Sequence, residues 1–199
     1  MLKPILIPAL LLAAGAGALP AQTDYYARLG VVGASTLVRD VLGTEITVRQ
    51  SIAPMAALGA SMPISPGYRA GVEATVASGG FDAEQDGGTT DLGTLRTASV
   101  LVGLDGPIWK SVRWRVGLGG MIYWPSEERG IFLQGGPIRF LAGAGADWRK
   151  PVMSAWDLMV SARYDLHRFT TDELKRRGFS QAQGVSRVSL SVGLARGIR

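Results

Sequence analysis

The sequence predicts an all-β protein in which eight antiparallel strands, connected up and down, close into a transmembrane β-barrel. Three observations support this fold class. Apolar and polar residues alternate with a period of two beyond residue 22. The connections between the alternating segments are short and long in turn. One face of the segments is rich in Gly, Ser and Arg, whereas most aromatic residues stand on the apolar face.

The composition of the 199-residue chain is that of a folded domain and excludes several classes of protein. Hydrophobic residues make up 47% and charged residues 19%, which is too apolar for a disordered chain. The net charge of +5 comes without a basic block, so we expect no nucleic-acid partner. The chain has no Cys, which excludes disulfides and thiolate sites. We expect neither a metal nor a cofactor.

The first 21 residues predict a cleavable signal peptide. Lys3 precedes an apolar run at residues 5–12, and small residues follow as far as Ala21. A positive start, a short apolar stretch and a small-residue cleavage zone are typical of export signals. We expect cleavage after Ala18 or Ala21, so that residues 1–21 form the signal peptide and residues 22–199 the barrel domain.

Eight segments alternate between an apolar and a polar face. They are residues 25–31, 46–62, 68–76, 95–104, 112–124, 138–148, 156–166 and 188–194. In the fifth segment, for example, Val112 and Trp114 share the apolar face, while Arg113 and Arg115 share the other. Pro54 interrupts the second segment and indicates a bulge or an unpaired position. Arg96 falls on the apolar face of the fourth segment, which leaves its register or depth open.

The connections predict which end of the barrel is which. The short ones are residues 63–67, 106–111 and 149–153, and the long ones are residues 35–45, 79–93, 125–136 and 168–184. Short turns at one end and long loops at the other are typical of membrane barrels. Residues 171–178 predict a short helix. Residues 82–87 begin like a calcium loop, but Gly93 stands where the bidentate Glu is required, so we expect an acidic solvated loop.

The apolar face is predicted to meet lipid. Inward Gly and Ser suit the narrow lumen of eight strands, whereas a water-exposed strand surface disfavours Gly. The aromatic residues predicted to form girdles at the membrane interfaces are Tyr25, Tyr68, Trp114, Trp124, Trp148, Trp156 and Tyr164. Alternation alone also fits a secreted soluble barrel whose apolar face lines a ligand cavity, and that alternative stays open.

Over residues 25–198 the chain resembles the small eight-stranded outer-membrane barrels of the OmpA/OmpX type, in architecture rather than in motifs. The resemblance implies a monomer in the bacterial outer membrane. It also implies outer-membrane lipid, lipopolysaccharide and the barrel-insertion machinery as partners. Residues 194–199 contain no aromatic residue, whereas such barrels usually close with one.

The polar face is predicted to form an ion-pair network that fills the lumen. Its predicted members are Arg28, Arg49, Arg69, Glu73, Arg113, Arg115, Arg139, Asp147, Asp157, Arg163, Asp165 and Arg187. Eight arginines against four carboxylates would bias any conduction path toward anions. Eight strands normally leave a lumen that side chains just fill, which favours a structural network.

The predicted function is non-enzymatic, either a membrane-structural role or surface interaction through four extracellular loops. Two further alternatives remain beside the soluble barrel. One is a narrow, anion-leaning channel. The other is a lipid A-modifying enzyme with His167 as general base, which would need a nucleophile and an orienting carboxylate within reach. The predicted catalytic set is nevertheless empty, because His167 falls on the lumen face rather than the lipid face and the chain contains no His-x-Ser segment of the expected kind.

Overall fold

The computed structural model describes residues 23–36, 38–40, 46–85, 87–126, 138–169 and 183–196. Within them lie ten β-strands: β1 (Asp24–Ala34), β2 (Val38–Asp40), β3 (Ile46–Gln50), β4 (Ala53–Ser65), β5 (Tyr68–Gln85), β6 (Gly88–Trp109), β7 (Val112–Pro125), β8 (Arg139–Met153), β9 (Trp156–Phe169) and β10 (Gln183–Arg196). No helix in this described part is long and apolar enough to cross a membrane. The predicted signal peptide and the predicted helix at residues 171–178 lie outside it.

Eight of the strands close into a ring in the order β1-β10-β9-β8-β7-β6-β5-β4, and β4 pairs again with β1. Every pairing in the ring is antiparallel. The short β2 and β3 stand outside the ring, since β3 pairs with the far end of β5 and β2 pairs with β3. The predicted all-β, eight-stranded antiparallel barrel is confirmed.

The short turns lie at one end of the ring together with both ends of the described chain. β4 and β5 are joined at residues 66–67, β6 and β7 at residues 110–111, and β8 and β9 at residues 154–155. Gly67 has a φ of 81°, a turn conformation that glycine adopts without steric cost. Tyr25 pairs with Arg196 at the same end. The three predicted short connections are confirmed, but they are tighter because the strands run further.

The predicted long loop at residues 79–93 is wrong. β5 continues to Gln85 and β6 begins at Gly88, so a hairpin occupies this stretch, with Asp82 directly opposite Asp91. Gly and Asp are depleted in strands, which made the stretch look like a loop. Pairing with β3 supplies ladder hydrogen bonds that outweigh this propensity. We call residues 38–40, 46–50, 81–85 and 88–92 the outer extension.

The barrel exposes apolar side chains and buries charged ones. Leu29 on the outside is 68% exposed and Val102 is 65% exposed, whereas inward Glu73 is only 4% exposed. Such a surface is unfavourable in water and matched to lipid. A soluble barrel would have the opposite arrangement, so that alternative is wrong.

Aromatic side chains mark the limits of the apolar band. Trp114 and Trp124 stand ten residues apart on the outer face of β7. At about 3.3 Å per residue and a tilt near 40°, this separation spans about 25 Å along the barrel axis, the height of a membrane barrel's apolar band. Near the short turns, the rings of Tyr68 and Trp114 lie 6.3 Å apart. All seven predicted girdle residues lie on the outer face: Tyr25, Tyr68, Trp114, Trp124, Trp148, Trp156 and Tyr164.

Candidate functional site: the barrel lumen

Side chains fill the lumen in two layers of different chemistry. The charged layer, toward the short turns, consists of Asp24, Arg28, Arg69, Glu73, Asp105, Arg113, Arg115, Asp147, Arg149, Arg163 and Asp165. The apolar layer, toward the opposite end, consists of Val48, Phe81, Leu95, Leu101, Met121, Tyr123, Leu141, Phe169 and Val185. The two layers meet at Leu101, which pairs across the strands with Glu73.

Glu73 is the centre of the charged layer. Its carboxylate accepts hydrogen bonds from Arg28, from Arg115 Nη1 at 2.5 Å and from Arg163 Nη1 at 2.5 Å. Tyr26 donates to the same carboxylate at 2.9 Å. The three guanidinium groups come from β1, β7 and β9, so one carboxylate on β5 connects four strands across the lumen. Charge-assisted hydrogen bonds of this kind are the strong ones.

Two further carboxylates balance these arginines. Asp147 Oδ2 lies 2.7 Å from Arg115 Nη2, and Asp147 Oδ1 accepts a hydrogen bond from Ser161 at 2.5 Å. Arg163 Nε donates to Asp165 Oδ1 at 2.6 Å. Each arginine at the centre of the layer therefore contacts more than one acceptor, which is what the burial of a guanidinium requires.

A rim of ion pairs closes the short-turn end. Asp24 lies 3.2 Å from both Arg69 and Arg149, and Arg113 Nε donates to Asp105 at 2.5 Å. Sequence reasoning missed Asp24, Asp105 and Arg149. Asp24 continues the inward alternation of the first segment by one step, and Asp105 does so for the fourth. Arg149 was assigned to a turn, but β8 continues to Met153.

Inward glycines leave the space that these long side chains occupy. A Cβ on Gly59 would overlap the ring of Tyr26, and a Cβ on Gly143 would overlap the Asp165 carboxylate. Glycine weakens a strand in isolation, but it is the residue that permits such close approach. At these two positions the glycine is thus explained by the volume of the charged layer.

The structure places eight of the twelve predicted network residues in the charged layer: Arg28, Arg69, Glu73, Arg113, Arg115, Asp147, Arg163 and Asp165. Asp157 is partly buried on the lumen side of β9, nearer the short turns. Arg139 and Arg187 are buried beside the apolar layer instead.

Arg49 does not belong to the lumen, so its predicted place is wrong. Its side chain is 66% exposed and lies 3.5 Å from Glu84 on the outer extension. The prediction treated residues 46–62 as one strand with a single inward phase. The break between β3 and β4 at residues 51–52 shifts that phase by one residue, so Val48 and Gln50 are buried instead.

The apolar layer is organised around Tyr123. Its ring meets that of Phe169 edge to face at 5.3 Å, and the Arg139 guanidinium carbon lies 4.9 Å from the centroids of both rings. Arg187 donates to Thr97 at 3.1 Å. The period of two puts Met121 and Tyr123 on the same face of β7 as Arg113 and Arg115, and Leu141 on the same face of β8 as Arg139 and Asp147. It indicates which face a residue is on, but not which residues meet at the same depth in the lumen.

His167 lies in the apolar layer, where its Nε2 is 2.6 Å from the Tyr123 hydroxyl. Among the described residues, Tyr123 is the hydrogen-bond partner of this imidazole, and no Ser nucleophile or carboxylate is bonded to it. The described part of the chain also contains no group of three or more His, Asp or Glu residues placed to hold a metal ion.

A small cavity lies next to the junction of the two layers. A cavity of about 30 Å³ lies beside Glu73, Leu101, Arg115 and Arg163. A buried water needs on the order of 10–15 Å³ by the same measure, so this cavity accommodates about two water molecules.

The fold is similar to solved structures of small outer-membrane barrels. Neisserial surface protein A matches with a TM-score of 0.57 at 14% identity, covering 88% of this chain and 97% of that chain. Outer membrane protein AlkL in lipid bilayers gives 0.57 at 13%, covering 92% and 93%. OprG from Pseudomonas aeruginosa gives 0.55 at 11%, covering 89% and 97%. No protein-family model and no curated protein sequence matches the chain.

At these identities the likeness establishes the fold. The predicted resemblance to small outer-membrane barrels is confirmed at that level, and the bacterial outer membrane of the matched proteins is the location predicted for this chain. The chain has the fold of the small eight-stranded β-barrels of bacterial outer membranes.

Proposed function

We propose that the protein is a closed, non-enzymatic outer-membrane barrel that acts through its membrane-facing and external surfaces rather than through its lumen. The observation that carries this proposal is the occupation of the lumen by two successive layers of side chains, the charged layer and the apolar layer. The role is structural support of the membrane or surface interaction. Its partners are outer-membrane lipid, the insertion machinery and whatever the external surface contacts.

The charge balance of the lumen argues against the anion-channel alternative. Within the described residues, the lumen contains eight arginines, which are the six of the charged layer together with Arg139 and Arg187. It contains six carboxylates, which are the five of the charged layer together with Asp157, whereas the prediction gave eight arginines and four carboxylates. The added carboxylates are Asp24 and Asp105. The positive excess is thus two rather than four, and the arginines of the charged layer are paired with carboxylates, so the field available to attract an anion is smaller than the sequence predicted.

The surroundings of His167 argue against the enzymatic alternative. A general base in a hydrolase needs a nucleophile within hydrogen-bond reach and a group that orients the base. His167 instead faces a tyrosine inside an apolar layer. It also points into the lumen, away from the lipid whose acyl chains such an enzyme would cleave.

The outer extension supports a role at the external surface. Trp124 pairs with Arg96 at the outer limit of the apolar band, and β6 begins eight residues further out at Gly88. Eight residues at about 3.3 Å extend roughly 26 Å along the strand. Thr89 and Thr90 near its tip are exposed. The extension is therefore an ordered platform beyond the membrane.

The test is to shorten this platform without opening the ring. Replacing residues 83–90 with Asn-Gly would join Asp82 to Asp91, which already face each other, through a favoured two-residue hairpin turn. The full chain and the shortened variant are expressed in the native bacterium lacking its own copy. A heat-dependent change of gel mobility in both confirms an intact ring.

Detergent sensitivity, cell adhesion and small-solute uptake are then measured. A surface role predicts that only the full chain restores adhesion. A membrane-structural role predicts that both forms restore detergent resistance. Restored solute uptake, with no change in the other two readouts, would contradict the proposal. An altered lipid A acyl profile that disappears with His167→Ala would contradict its non-enzymatic part.

A further inference from the structure

One arginine stands on the lipid-facing side of the barrel at the outer end of the apolar band. Arg96 on β6 is exposed, and its neighbours in the strand, Leu95 and Thr97, are buried in the lumen. This geometry explains why Arg96 falls on the apolar phase of its segment. The position is a lipid-facing arginine rather than an error of register.

The depth of Arg96 is fixed by its cross-strand partners. It pairs directly with Trp124 on β7 and with Ser78 on β5. Trp124 belongs to the outer aromatic girdle, and Ser126, two residues further out, accepts a hydrogen bond from the Thr94 backbone at 3.0 Å. Arg96 therefore lies where the apolar band gives way to polar groups, which is the level of lipid head groups.

A groove runs along the lipid face next to this arginine. It has a volume of about 450 Å³, and its wall includes Arg96, Ser78 and Trp124 on the polar side. Apolar side chains complete it: Leu29, Pro54, Ala56 and Val76. Ala56 is the smallest of these four side chains. The groove thus places a cation at the head-group end of a largely apolar depression in the lipid-facing wall.

Among the described residues, no carboxylate forms an ion pair with Arg96. The ion pairs in this part of the chain all involve other arginines. A guanidinium facing lipid is costly unless an anion accompanies it, and its planar fork matches the oxygens of a phosphate. Anionic lipid at the membrane surface supplies such a group.

We propose that Arg96 and the adjacent groove bind one phosphorylated lipid of the outer leaflet, with a lipid A phosphate on the guanidinium and an acyl chain in the groove. The proposal rests on the outer-membrane location that is part of the proposed function. It assigns the lipid contact to a specific site on the barrel wall rather than to the loops.

The test uses the purified barrel in phosphatidylcholine nanodiscs doped with diphosphorylated lipid A. Bound lipid is counted by native mass spectrometry after release from the disc. We expect a one-to-one adduct that Arg96→Gln weakens about tenfold or more, because a hydrogen bond to a charged group contributes roughly 1.5–3 kcal/mol. Ala56→Leu should also weaken the adduct by filling the groove while leaving the arginine in place.

The matched control is Arg49→Gln, which removes one exposed arginine outside the groove and should leave the adduct unchanged. Competition by inorganic phosphate should fail, since phosphate lacks the acyl chain. Equal loss in Arg49→Gln, an unchanged adduct in Arg96→Gln, or equal binding of phosphatidylglycerol would each overturn the lipid A site. Heat-dependent gel mobility of the same samples reports the fold separately, so failure of this site is distinguishable from failure of the barrel.

Discussion

The two halves of the lumen are filled by side chains of opposite chemistry. Toward the short turns, Glu73 gathers three arginines from three strands, and the surrounding carboxylates balance them. Toward the outer extension, Tyr123, Leu141 and Phe169 pack against aliphatic neighbours. Paired charges are directional and fail together when one is removed, whereas apolar packing is non-directional and loses only the atoms deleted.

The two layers also connect different parts of the barrel. The charged layer links β1, β5, β7 and β9 through one carboxylate, so it fixes distances across the barrel. The apolar layer includes Val48 of β3 and Phe81 at the start of the outer extension, so it joins the barrel to its external platform. The charged layer thus sets the spacing of the strands at one end of the lumen, and the apolar layer fills the other end and connects it to the outer extension.

The largest expected effect is that of Glu73→Ala, which leaves Arg28, Arg115 and Arg163 without their shared partner. Removing one member of a buried ion-paired set costs about 3–5 kcal/mol. Urea unfolding of the refolded barrel in lipid vesicles, followed by tryptophan fluorescence, measures this loss. Glu84→Gln, which breaks an exposed pair with Arg49, should cost no more than about 1 kcal/mol. Equal losses of unfolding free energy in the two variants would contradict the claim that the buried ion pairs of the charged layer stabilise the barrel more than an exposed pair does.

Leu141→Ala tests the apolar layer at a side chain that is 1% exposed. We expect a loss of about 2–5 kcal/mol from transfer and cavity terms, measured by the same unfolding experiment. The ion pairs of the charged layer should remain, so the salt dependence of unfolding should match that of the unmodified barrel. A large change in salt dependence would show that the two layers do not act separately.

Gly59→Ala sharpens the comparison by crowding the charged layer without removing a charge. The new methyl group would overlap the Tyr26 ring, and overpacking of this kind costs about 1–3 kcal/mol. Gly33→Ala is the matched control, because a Cβ there meets no atom within 4 Å. Tyr26→Leu in the Gly59→Ala background should recover part of the loss. No difference between the two glycine variants would contradict the packing shown here.

The smallest expected effect is that of Tyr123→Phe, which keeps the ring stacking and removes the hydrogen bond to His167. A loss of about 1 kcal/mol is expected for a neutral buried hydrogen bond. In the Tyr123→Phe background this hydrogen bond is already absent, so His167→Ala should destabilise the barrel less there than it does in the unmodified barrel. Unfolding midpoints of the two single variants and the double variant give this coupling energy.

The sequence predicted the barrel and its lipid-facing side because a period of two is a direct consequence of strand geometry. It predicted eight members of the charged layer, because Arg and Asp side chains on the inward face of a narrow barrel lie close enough together to form ion pairs. It failed where side-chain phase depends on chain breaks, as at Arg49. It also failed where tertiary pairing overrides propensity, as in the hairpin at residues 79–93.

The apolar layer was not predicted for a different reason. Alternation puts Met121, Tyr123 and Leu141 on the inward face, but it carries no information on depth along the barrel axis. Only the stagger of neighbouring strands brings these residues to one level, and that stagger is a property of the closed ring.

Ion conductance across planar lipid bilayers tests most directly the claim that two layers in series close the lumen. The unmodified barrel should show no steady current, and neither Glu73→Ala nor Phe169→Ala alone should open it, because one layer remains in each. The double variant, still shifting its gel mobility on heating, should leak. Steady current through the unmodified barrel would contradict the closed lumen and restore the channel alternative.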